Sequence, residues 1–125
     1  MPARVYICSS KDVTALKKLL EYDPYLDKSL GEAELEKIRK DEEANVIFAR
    51  QDYLLKDGIS LGLERDSSYL YVNATEEFLV KAEKKLKKAL PEIKRAEPGL
   101  ESKIVATIEE ERNESEQGLG LIFGG

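Results

Sequence analysis

Tyr69-Leu70-Tyr71-Val72, running into Asn73-Ala74-Thr75-Glu76-Glu77-Phe78-Leu79, is the stretch on which the fold turns. Aromatic and β-branched residues make the first four a strand. Asn73 with Glu76, or Thr75 alone, caps the helix that follows. Phe78, Leu79, Ala82, Leu86, Ala89 and Leu90 then recur at helical spacing and form one apolar stripe. Pro91 ends the helix. A strand that feeds an amphipathic helix calls for a sheet with helices packed against it.

Toward the N-terminus, Ile59, Leu61 and Leu63 alternate with Ser60, Gly62 and Glu64, the pattern of a half-buried strand. Asp57-Gly58 before it predicts a tight hairpin, with glycine supplying a positive φ. Residues 45–49 read as a short buried strand, and Tyr53-Leu54-Leu55 either extends it or stands alone. Ser29 with Glu32 forms a capping box for a helix over 31–42, whose apolar face is thin: Ala33, Leu35 and Ile38. Arg4-Val5-Tyr6-Ile7-Cys8 is a further strand, with Val5 and Ile7 on one face and Tyr6 and Cys8 on the other. Ser9 or Ser10 then caps a helix carrying Val13, Leu16, Leu19 and Leu20, which stops near Tyr22 because the residue before Pro24 avoids the α region.

Toward the C-terminus, residues 92–96 read as a short edge strand whose charges resist sheet-to-sheet pairing. Pro98-Gly99 breaks the chain. In 100–117, Leu100, Ile104, Val105 and Ile108 fit one helix face, while Ile104, Ala106 and Ile108 also fit a strand. The glutamates that follow and Gly118 favour the helix. Gly118-Leu119-Gly120-Leu121-Ile122-Phe123-Gly124-Gly125 is an abrupt apolar ending after an acidic run. Its alternation of Leu119, Leu121 and Phe123 suits an added β-strand, either on this chain's own sheet or on a partner's.

These elements add up to an α+β domain over 1–117 with a Gly-rich tail at 118–125. The expected architecture is an antiparallel or mixed sheet with helices on one face. Its core is a ferredoxin-like split βαβ arrangement, with an extra helix, a C-terminal helix and the apolar tail as additions.

The 125 residues match one domain, and a hydrophobic fraction of 42% supplies a core. Charged residues make up 36%, well above the usual quarter, with many Glu and Lys and few Gln, Asn, Cys and Met. That bias is thermophile-like. A net charge of −5 argues against a general nucleic-acid binder, since counterion release needs a dominant positive surface. The single cysteine excludes an internal disulfide and suits a reducing compartment. No signal-peptide pattern and no bilayer-length apolar run appear, so the expected location is cytoplasmic, without a membrane partner. With no histidine, Ser-His-Asp and Cys-His chemistry is excluded and the commonest metal ligand is missing.

Five features invite a functional reading, each against a plainer one. Cys8-Ser9-Ser10-Lys11 lies where a strand meets a helix, where a thiol of lowered pKa or a small anionic ligand or nucleotide fits. The plainer reading is a buried cysteine and capping serines. Lys81, Lys84, Lys85 and Lys88 share one helix face, with Lys94 and Arg95 beyond. They offer a basic face for RNA, DNA or an acidic surface such as the chain's own final segment, or else a solvated helix face. Acidic clusters at Glu32, Glu34, Glu36 and Asp41–Glu43, and at Glu109–Glu111, Glu114 and Glu116, match no calcium-loop spacing, so no metal or other cofactor is expected. Tyr69 and Tyr71, with Tyr53 nearby, suit base stacking or packing under a helix. Leu119, Leu121, Ile122 and Phe123 in the tail suit an interface.

Nothing here amounts to a catalytic signature, and enzymatic activity is the least favoured class. The expected function is a non-catalytic interaction or regulatory module that self-associates as a dimer through its C-terminal segment. Binding of a small anionic ligand at 8–11, and RNA or DNA contact through the lysine face, are the alternatives.

Overall fold

The computed structural model describes residues 1–114 in full and residues 115–123 only as the backbone continuation of the last helix. The chain is mixed α+β. Strands β1 (Ala3–Ser9), β2 (Asp52–Asp57), β3 (Ser67–Asn73) and β4 (Lys94–Arg95) form one sheet in the order β2-β3-β1-β4. Every neighbouring pair is antiparallel. Helices α1 (Val13–Glu21) and α2 (Glu32–Lys40) lie between β1 and β2, α3 (Glu76–Ala89) joins β3 to β4, and α4 (Pro98–Phe123) follows the sheet.

The central strands β1 and β3 are apolar through their middles, apart from Arg4, and buried on both faces. Tyr6, Cys8, Leu70 and Val72 point to one side, where Leu16 and Leu20 of α1 and Leu79, Ala82 and Leu86 of α3 cover them. Val5, Tyr69 and Tyr71 point to the other, where Ile104 and Ile108 of α4 cover them. The helices therefore do not share one face as the sequence reading had it. A strand with apolar residues at consecutive positions leaves two faces to be dried, and α4 is needed for the second.

Three local expectations also change. Val46, Ile47 and Phe48 are buried but form no strand: the chain turns into a 3₁₀ segment at Phe48–Arg50, and β2 stands alone. Residues 59–64 are a compact connection with a 3₁₀ turn at Ile59–Leu61. Its left-handed residue is Gly62 (φ 71°), while Gly58 is right-handed (φ −62°). Ile59 is accordingly 62% exposed. The helix caps shift as well. Gly31 opens α2 and its N–H donates to Glu34 Oε2 at 3.0 Å, because Ser29 is engaged by Asp27. Thr75 caps α3 by accepting from the Phe78 N–H at 3.2 Å. Ser9 remains in the ladder opposite Ser67 and caps nothing with its side chain.

β4 is only two residues long, and this leaves the Val5 N–H without a strand partner. Glu101 of α4 takes it at 3.0 Å while also receiving Arg95 through two bonds of 2.9 and 2.8 Å. At its other described end, α4 is tied to β2 by Arg112–Asp52 (2.9 Å) and Lys56–Glu111 (2.6 Å). Among the described residues, no helix is long and apolar enough to cross a membrane.

Candidate functional site

Cys8 is 1% exposed and donates weakly to its neighbour's Ser9 carbonyl at 3.4 Å. Burial, followed by the nearby Asp12 charge, pushes its thiol up, so the lowered pKa considered from sequence is not found. The Ser10 N–H is consumed by the Asp66 carbonyl at 2.9 Å, and Lys11 reaches Glu92 at 2.9 Å. Cys8, Ser9, Ser10 and Lys11 are thus neighbours in sequence whose polar groups turn to separate partners.

The lysines of α3 meet acids from the turn after α2. Lys88 pairs with Glu43 at 2.8 Å, and Lys81 lies 3.3 Å from Glu77 and 3.9 Å from Glu42. Lys85 donates to the Val46 carbonyl at 2.7 Å. Burial draws its ammonium down, partly offset by Glu43 and Asp41. Lys84 makes no ion pair among the described residues. Arg95 belongs to Glu101 on α4, and Lys94 sits across β4 from Ile7. In the acidic final segment Glu111 answers Lys56 of β2, while the segment's own Arg112 pairs with Asp52; among the described residues no ion pair joins the α3 lysines to α4.

Tyr69 and Tyr71 are buried beneath α4, and the Arg112 guanidinium lies 5.2 Å from the Tyr71 ring centre. Tyr53 packs on the opposite face with α1 and α3. No cluster of three or more metal-ligating side chains occurs among the described residues. The backbone of Leu119, Leu121, Ile122 and Phe123 continues α4, so Gly118 does not stop the helix and the added β-strand expected of the tail is not formed. The side chains of these residues, and with them the docking expected of 118–125, lie outside the described residues.

Two polar constellations escaped the sequence reading. In the first, Tyr6 donates to Glu83 Oε1 at 3.1 Å, and Glu83 and Glu76 flank the buried Arg4 at 3.5 and 2.6 Å. Burial raises the Tyr6 phenol to about 12 against the opposing pull of Arg4, and Glu83 adds to the rise. The phenol therefore stays protonated and serves as a donor. The second is Glu101. Its burial favours the neutral acid, but Arg95, the Val5 N–H and the charge of Arg4 outweigh that and hold the carboxyl below its ordinary value. Both constellations lock helices to strands, and neither lies in a cleft.

The sign of the Glu101 effect gives a test. A carboxyl depressed in the folded state stabilises above its unfolded pKa, and the gain is lost as pH falls through the folded value. Glu101→Gln is expected to cost about 1–2 kcal/mol near neutrality, the worth of charged hydrogen bonds on a partly buried group. Chemical denaturation should show that cost shrinking below the carboxyl's ordinary 4.5. A difference that stays constant with pH would refute the assignment.

No family model, no curated protein and no solved structure matches this chain. The class defined by its own elements is a mixed α+β protein with a four-stranded antiparallel sheet.

Proposed function

We propose that the chain is a non-catalytic interaction or regulatory module that self-associates as a dimer through residues 118–125, on a ferredoxin-like split βαβ core. The strand order supports the core assignment: β1 connects to β2, and β3 to β4, each through helices and across one intervening strand. α2 and α4 are the additions. A single buried cysteine suits a cytoplasmic setting.

The observation that carries the functional reading is the apolar ending itself. Leu119, Leu121, Ile122 and Phe123 are the last residues of α4 and come after its acidic run; its last described anchor is Arg112–Asp52, on the edge strand β2. A cluster of large apolar residues ending so charged a chain is an association element. Light scattering should give twice the chain mass for the full protein and the single mass for a version ending at Gln117. Unfolding stability should be equal in the two once dilution has made both monomeric. The same mass for both would remove the tail as the contact, and a full-length monomer would overturn self-association.

A further inference from the structure

On the α4 side of the sheet, strand register sets up two rows. Leu54, Tyr71 and Val5 form the row that α4 covers. The next row runs Lys56, Tyr69, Ile7, Lys94, one residue from each strand. α4 buries most of Tyr69 and meets the Lys56 end through Glu111. Over Ile7 and Tyr69 a groove of about 330 Å³ remains between the start of α4, at Leu100, and the 58–66 connection, at Leu63 and Glu64. Its floor is fixed by the ladder, and its lining is apolar at Leu63 and Leu100 and polar at Ser67. A single ammonium, Lys94, enters from one side and a single carboxylate, Glu64, from the other. The Glu64 charge is close enough to Tyr69 to add to the upward push that burial gives the phenol. Neither Lys94 nor Glu64 has an ion-pair partner among the described residues, whereas in the groove between α3 and the 41–45 turn Lys88 is matched to Glu43.

We propose that this groove binds a free apolar α-amino acid, with its carboxylate on Lys94, its ammonium on Glu64 and its side chain over Ile7, Leu63 and Leu100. The charges select the class. A simple carboxylate leaves Glu64 unmatched at the site, a polyanion is repelled by it, and an amine is repelled by Lys94. A zwitterion with an apolar side chain satisfies both charges and the floor. The volume falls at the small end of ligand sites and holds one such molecule. A ligand of so few atoms, in an open groove, binds at about 1 mM or somewhat tighter. The proposal does not depend on the self-association reading.

The test is a titration of the full chain with L-leucine, followed by amide and methyl NMR shifts. N-acetyl-leucine and leucinamide serve as blocked comparators. Saturable shifts at Ile7, Leu63 and Lys94 are expected, with each blocked analogue and each of Glu64→Gln and Lys94→Gln about tenfold weaker, the worth of one lost charged contact. These exposed substitutions leave the fold intact, so a lost response reports on the site. No saturable response up to about ten times the expected constant, equal binding of all three compounds, or shifts confined to other regions would each overturn the proposal.

Discussion

Gly58→Ala should unfold the protein at markedly lower denaturant, with a loss of more than about 3 kcal/mol, beyond the usual range for overpacking. The backbone dihedrals are not the reason, since φ at Gly58 is −62° and any residue adopts it. The reason is contact. A Cβ built there would lie 1.7 Å from the Glu64 carbonyl oxygen, 2.7 Å from its carbon and 3.1 Å from the Ser67 carbonyl oxygen. All three are main-chain atoms, and none can rotate away. They are also held by the turn's own bonds. The Gly58 N–H donates to Ser67 O at 2.9 Å, and the Leu63 N–H donates to Gly58 O at 2.7 Å. To admit a methyl group the connection must open, which breaks the start of the β2–β3 pairing. Gly62→Ala is the useful contrast. There φ is 71° but nothing lies within 4 Å of the added carbon, so only the left-handed conformation is penalised, at about 1 kcal/mol. Equal midpoints for the two variants would show that the close approach at Gly58 is not there in solution.

The same connection shows why part of the fold could not be read from sequence. Ile59, Leu61 and Leu63 alternate as a strand does, yet the spacing serves a 3₁₀ turn that leaves Ile59 outside and tucks Leu61 and Leu63 against the α4 face. Alternation over five residues fits both. What decides between them is the approach of Glu64 to Gly58, a contact with no periodic signature. Val46-Ile47-Phe48 fails for a related reason: a three-residue apolar run reports burial and not conformation. The elements that were legible, β1, β3, α1, α3 and α4, each carry a long period or a clear cap. The face of α4 was not: helices were expected on one side of the sheet, although Tyr69 and Tyr71 alternating with Leu70 and Val72 make a strand that needs cover on both. Site residues were harder. The partners of Ser10, Lys11 and Lys88 are Asp66, Glu92 and Glu43, brought in from distant parts of the chain. The row Lys94-Ile7-Tyr69 exists only once the register is known.

Ile108→Ala should cost about 2–4 kcal/mol, the range for emptying a closed apolar site. Ile108 is 2% exposed and Ile104 3%, and together they close Val5, Tyr69 and Tyr71 from water. The alternative is that α4 is an appendage held by its charges. The relevant pairs, Arg112–Asp52 and Lys56–Glu111, have side chains from about a quarter to nearly half exposed, and each is worth at most about 1 kcal/mol. Asp52→Ala therefore serves as the partner experiment and should cost about 1 kcal/mol or less. Burial of the apolar strip, not the ion pairs, is what ties α4 to the sheet. In that case wild type and Ile108→Ala both unfold in a single transition, and amides of α4 near Ile104 exchange as slowly as those of β1 and β3. A cost below about 0.5 kcal/mol for Ile108→Ala, with fast exchange in α4, would mean that the second face of the sheet is not closed by this helix. The groove over Ile7 and Tyr69 would then lose its α4 wall.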